Sequence, residues 1–235
     1  DLGLDRAELA LLGQRVENEY VGVSCGIMDQ FAVALCRERS ALHIDTETLE
    51  YDPVPIPADM RVLVFHTGVE RELVDSAYNE RRSTVEAALD RLGRETSKAV
   101  TEADLSKLPP LDRRRVGYLR RENRRVIEAK DALAAGDLDR FGEILVTAHR
   151  DIAENYEASC PELDFVVDAA VDAGAYGARL TGAGWGGAAV AIVDVGDAEA
   201  VARELETRYA DQFPARDAEA YLIEPSGGVA VERRD

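Results

Sequence analysis

The chain has 235 residues, 46% of them apolar, and carries 28 Lys and Arg against 46 Asp and Glu for a formal net charge of −18. Such an apolar content can bury a core in one large domain or two small ones, which excludes a disordered chain. So large an excess of negative charge repels nucleic-acid phosphates and anionic lipid, so neither nucleic acid nor membrane is an expected partner. The three cysteines, Cys25, Cys36 and Cys160, are scattered and odd in number. Without CxxC spacing they suggest neither a disulfide framework nor a zinc site, and a reducing cytoplasm fits best. No apolar run approaches the roughly 20 residues that span a bilayer, and the acidic start lacks the layout of a signal peptide, so a soluble, unsecreted protein is expected.

Helical spacing of Leu9, Leu12 and Val16 predicts a helix over residues 4–20. After a glycine-bearing turn, Phe31, Ala34 and Leu35 recur at helical spacing, which places Asp29 in a helix's first turn. Residues 41–44 and 50–56 read as strands. Pro53, Pro55 and Pro57 demote the second to an edge strand or a connector and mark a domain boundary. Residues 60–65 (MRVLVF) form a buried-strand pattern, and residues 74–92 a long amphipathic helix. Thr101 to Asp104 resembles a capping box, with Asp in place of the usual Glu or Gln, opening a helix over 101–107. A longer helix over 112–135 should stop at Gly136, Asp137 can cap another to about Tyr156, and Pro161 opens one through Ala173. Residues 176–180, 182–187 and 188–195 read as strand, glycine turn and strand. A helix over 198–209 and strands near 218–223 and 228–232 follow. Strands and helices alternate, so the fold class is α+β.

Residues 181–187 (TGAGWGG) match G-x-G-x-x-G at Gly182, Gly184 and Gly187. A dinucleotide site needs a helix after these glycines, whereas residues 188–195 (AAVAIVDV) are strand-like, so that reading fails. Two readings remain: a structural hairpin, or a loop whose missing Cβ atoms let backbone approach a ligand or another loop. For Asp29, position alone favours dipole compensation or capping; the alternative is a carboxylate beside a ligand hydroxyl, with Gly26 allowing close approach. His43, His66 and His149 lie in separate elements without an i,i+4 partner and read as structural, so no metal site is expected. The seven arginines of residues 113–125, flanked by Glu122 and Glu128, read as a solvated helix face.

Four segments in register go beyond these patterns. Residues 21–31 (VGVSCGIMDQF), led by 14–20 (QRVENEY), closely resemble the galactokinase signature around its catalytic aspartate. Residues 78–82 (YNERR), 149–164 (HRDIAENYEASCPELD) and 180–187 (LTGAGWGG) resemble later galactokinase segments, the last being the third motif of the GHMP kinase family. The resemblance covers nearly the whole chain. It implies a partial N-terminal domain, ribosomal S5 domain 2-like, over residues 1–57, and a C-terminal ferredoxin-like domain over 58–235. It further implies transfer of the γ-phosphoryl group of MgATP to the anomeric hydroxyl of galactose. By the same resemblance Asp29 is the catalytic carboxylate, and Gly26 and Tyr78 contact galactose, though Tyr78 could instead simply pack at a helix start. Gly182, Gly184, Gly186 and Gly187 are supporting parts. Where the family has a basic residue able to pair with the glutamate matching Glu17, this chain has Glu70 followed by Arg71; either Arg71 takes over the pairing or the pair is lost. The family's first motif and its glycine- and serine-rich phosphate loop, which supplies magnesium ligands, have no counterpart in these 235 residues. The chain alone is therefore expected to be inert, and to self-associate through apolar surface that the absent elements would cover. Two rival readings are a non-catalytic galactose or nucleotide sensor and a GHMP kinase for another sugar.

Overall fold

A computed structural model describes residues 3–22, 25–69 and 74–230. The chain divides into two compact units, Asp1–Ala58 with Glu224–Asp235, and Asp59–Ile223.

In the first unit, helix α1 (Arg6–Arg15) starts on a capping box: Asp5 accepts from the Glu8 amide, and the Glu8 carboxylate accepts from the Asp5 amide. It runs on as a π-helical turn, Val16–Val21, which Gly22 ends at φ +85°. Helix α2 (Met28–Leu35) follows, then a two-stranded antiparallel sheet of β1 (Ser40–Ile44) and β2 (Tyr51–Pro55), in register Ser40↔Pro55 to Ile44↔Tyr51. Among the described residues β2 pairs only with β1, as its prolines require. Ala10, Ile27, Phe31, Ala34 and Leu35 form the core, with Phe31 fully buried and Tyr51 edge-on to its ring at 6.0 Å. The expected strand over 228–232 is not found in its described part. Gly228 and Val229 instead donate to the Cys36 and Val33 carbonyls, 2.7 Å each, at the end of α2; residues 231 and 232 lie outside the described residues. The valine pattern that suggested a strand serves here to satisfy carbonyls left open at a helix end.

The second unit contains β3 (Met60–His66), α3 (Val74–Leu92), α4 (Glu102–Leu105), α5 (Pro110–Ala135), α6 (Leu138–Asp151), α7 (Pro161–Asp172), β4 (Gly177–Thr181), β5 (Ala188–Asp194), α8 (Ala198–Gln212) and β6 (Glu219–Ile223). The caps read from sequence are in place: Thr101 and Asp104 form a reciprocal box, Gly136 ends α5 at φ +73°, and Asp137 accepts from the Arg140 amide. The sheet order is β4-β5-β3-β6 with every pair antiparallel. That is the ferredoxin-like arrangement, with five helices between its first two strands. Leu63 and Phe65 of β3 join Leu163, Val166 and Val167 of α7 and Leu205 and Tyr209 of α8 in the main core, and the Tyr209 hydroxyl donates to the Thr67 carbonyl at 2.6 Å. Helix α6 approaches β4 backbone to backbone. A Cβ on Gly142 would lie 2.0 Å from the Tyr176 carbonyl oxygen, and one on Gly177 2.1 Å from that of Gly142, so glycine is needed on both sides. No described helix is long and apolar enough to cross a membrane.

Candidate functional site

Helix α2 begins with Ile27 as N-cap and no capping side chain, so its first turn keeps open amides and a positive dipole end. Asp29 lies in that turn, exposed, with no hydrogen bond or ion pair among the described residues. It is not a cap. The carboxylate stays free at the positive end of the helix. Gly26 is exposed too, with open space where a Cβ would stand.

The approach to α2 is fixed by Glu17, on the π-turn. Its carboxylate accepts from Gln30 Nε2 and from Cys25 Sγ, 3.0 Å each, while Asn18 accepts from the Cys25 amide at 3.2 Å. The Glu17 carboxylate holds the Cys25 thiol above its ordinary range, so this cysteine stays a neutral donor. Arg71, the expected partner of Glu17, lies outside the described residues. Asp29, Glu17, Gln30, Leu9, Gly13 and Val33 line an open hollow of about 300 Å³.

The glycine segment lies in the second unit, in the loop joining the hairpin strands β4 and β5, which close at Thr181↔Ala188. Gly182, Gly184, Gly186 and Gly187 all take positive φ, as does Trp185 at +54°. A Cβ on Gly184 would fall 1.9 Å from the Ala158 carbonyl oxygen, and one on Gly186 2.8 Å from Val69 Cγ1. The glycines turn a hairpin and also let their backbone approach other loops closely. Gly187 reaches the end of β3, where the Thr67 amide and hydroxyl both donate to its carbonyl at 2.8 Å. Trp185 docks on the chain after α6: its amide donates to the Ala158 carbonyl at 2.9 Å and its indole to the Glu157 carbonyl at 3.0 Å.

Tyr78 lies near the start of α3, 40% exposed. Neither a hydrogen bond nor a ring partner engages it among the described residues. One turn on, Arg81 is buried. It donates to the Tyr156 and Glu157 carbonyls at 2.7 and 3.3 Å, and its guanidinium lies over the Trp185 ring, 5.7 Å from the centroid. The structure thus joins the helix of Tyr78 to the glycine segment through Arg81, a residue the sequence reading left without a role. The signal was present in the YNERR segment, but its partners lie about 75 and 104 positions away.

His149 is buried on α6. Its Nδ1 accepts from the Leu180 amide at 3.1 Å, which leaves Nε2 to donate to Asp164 at 3.1 Å. Burial lowers its pKa, against the opposing pull of the Asp164 carboxylate. Because β4 is an edge strand, the Leu180 amide has no strand partner on that side, and the histidine supplies one. The arginine-rich stretch of α5 is the expected solvated face only in part, with Arg113, Arg114 and Arg124 exposed. Arg115 and Arg125 are buried; Arg121 binds Asp151 through two bonds of 2.8 and 2.6 Å, Arg125 pairs with Glu122 and Asp151, Arg114 with Glu157, and Arg113 caps carbonyls of 105–108. Acidic partners distant in sequence turn a charged stripe into internal cross-links.

Among the described residues no group of three His, Cys, Asp or Glu is placed to hold a metal ion. At the glycine segment, Ala158 and Val69 occupy the space that Cβ atoms on Gly184 and Gly186 would need.

Family models for the GHMP kinases N terminal domain and for the GHMP kinases C terminal match residues 1–37 and 129–211. The galactokinase of Thermococcus kodakarensis is 54% identical over 230 residues, 98% of this chain and 65% of its own length; that of Pyrococcus furiosus is 50% identical over 231 residues, again 98% and 65%. The crystal structure of Lactococcus lactis galactokinase complexed with galactose matches with a TM-score of 0.89 at 32% identity, covering 97% of this chain and 61% of that one. The chain therefore spans less than two thirds of the length of these relatives.

Proposed function

We propose, from the premise that this chain belongs to the GHMP kinase family as a homologue of galactokinases, that it forms the carboxylate-bearing part of a site phosphorylating the anomeric hydroxyl of galactose with ATP. The observation that carries the reading is Asp29: an exposed, unpaired carboxylate at a helix N-terminus, inside the segment that resembles the catalytic signature. Asp29 accepts the hydroxyl proton or orients that oxygen as the γ-phosphoryl group arrives. Phosphoryl transfer through a loose transition state asks little early deprotonation of the nucleophile, so an ordinary carboxylate serves. Gly26 leaves room for a sugar oxygen beside the backbone. In the second unit, Tyr78 has an unengaged ring and hydroxyl, and the resemblance assigns it a sugar contact. The glycine segment holds loops of the second unit together and is a supporting part by the resemblance.

The resemblance assigns Mg2+ and the ATP phosphates chiefly to the family's glycine- and serine-rich phosphate loop, which these residues do not include, and no step is routed through the ion. A cytoplasmic location is part of the proposal, since ATP is available there and Cys25, Cys36 and Cys160 are unpaired.

The test is ADP release against a panel of sugars. In the native protein carrying these residues, galactose should support turnover in the range of about 1–100 s⁻¹. The isolated 235-residue chain should show none, because positioning and electrostatic stabilisation of the phosphates supply most of the rate. Preference for another sugar, or galactose binding without turnover in the native protein, would overturn the proposal.

A further inference from the structure

Three of the segments that resemble galactokinase converge on one side chain in the second unit. Arg81 donates through Nε to the Tyr156 carbonyl and through Nη2 to the Glu157 carbonyl, and Nη1 meets Glu80 at 3.0 Å. Glu157 also accepts from the Trp185 indole, and the next carbonyl, that of Ala158, accepts from the Trp185 amide. Tyr156, Glu157 and Ala158 thus present successive carbonyls at the C-terminal end of a π-turn (Ile152–Tyr156), where helix carbonyls lack internal partners. Arg81 and Trp185 together satisfy them, with the guanidinium over the indole ring.

We propose that Arg81 is a positioning residue of the phosphoryl-transfer site, latching the glycine segment to the helix that carries Tyr78 without itself touching substrate. The proposal rests on the kinase reading above. A planar fork bonds two adjacent carbonyls while stacking over the ring with both contacts pre-organised, which a lysine ammonium reproduces only in part. Glu157 completes the latch. It holds a left-handed backbone at φ +56°, and its carboxylate meets Arg114 at 3.0 Å and Arg81 and Arg115 at 3.6 Å.

Trp185 is the single tryptophan of the chain and reports directly on the latch. In the native protein, with any tryptophan outside these 235 residues replaced by phenylalanine, Arg81→Lys and Arg81→Met should make Trp185 fluorescence easier to quench with acrylamide and shift its emission to longer wavelength. Turnover with galactose should fall on the order of 10²-fold, the scale of a misplacement of about 1 Å, and Arg81→Lys should recover only part of it. Unchanged quenching in Arg81→Lys overturns the latch, and Arg81→Lys decides the matter if Arg81→Met does not fold. Freer quenching with unimpaired turnover would overturn the positioning role. Absence of turnover in the unsubstituted protein would sink the kinase reading itself, whereas normal turnover there with unchanged Trp185 quenching in Arg81→Lys would sink the latch alone.

Discussion

Replacing Gly184 by alanine tests whether the glycine segment is built for close packing. Gly184 sits at φ +92°, and a Cβ there would lie 1.9 Å from the carbonyl oxygen of Ala158, itself 1% exposed. The left-handed backbone alone costs an alanine about 1–2 kcal/mol. To relieve the clash the Ala158 backbone must withdraw, which breaks the Trp185 amide bond to it and loosens the indole bond to Glu157, each worth about 1 kcal/mol. The sum is about 3–4 kcal/mol, or roughly 6–16 °C in melting temperature for a chain of this size. Gly136→Ala is the control: φ is +73° but nothing lies within 4 Å of the new Cβ, so only strain of about 1–2 kcal/mol applies. Urea unfolding followed by Trp185 fluorescence measures both. If Gly184→Ala costs no more than Gly136→Ala, the packing argument is wrong.

His149 should make stability pH-dependent. With its folded pKa below the ordinary 6.5, it binds fewer protons folded than unfolded as pH falls, so stability present above about pH 6.5 is lost on acidification and levels off below the folded value. Urea midpoints between about pH 7.5 and 5 should slope in the unsubstituted chain and flatten in His149→Gln; equal slopes would refute the assignment. The exposed Leu9, Leu12, Val16, Tyr20, Met28 and Val33 of α1, its π-turn and α2 should drive concentration-dependent self-association of the isolated chain, strengthened by salt that screens the net −18 charge. Light scattering showing a monomer at high concentration and high salt would contradict this.

Much of the fold could be read from local chemistry. Thr101 with Asp104, Gly136, Asp137 and Pro161 set helix ends through groups within four residues, and the strand character of 188–195 was enough to reject a dinucleotide loop. Long-range pairing was not legible. Helical spacing showed that seven arginines line one helix but not that Asp151, Glu157 and Glu80 meet them, and nothing marked Gly142 and Gly177 as facing each other. Val229 looked like strand because β-branched residues favour strands, yet its amide goes to a helix end. For the site, the sequence placed Asp29 in a first turn; that its carboxylate lacks any described partner is a fact of the structure.

Since Asp29 binds nothing among the described residues, its replacement should leave folding almost untouched, within the roughly 0.3–1 kcal/mol of a helix-dipole charge. The direct measurement is galactose-dependent turnover of the native protein with Asp29→Asn, alongside its melting temperature. A loss of about 10²–10⁴-fold in turnover with the melting temperature preserved is expected of a carboxylate that handles the sugar hydroxyl. Turnover close to that of the unsubstituted protein, or a loss explained by unfolding, would contradict the role given to this residue.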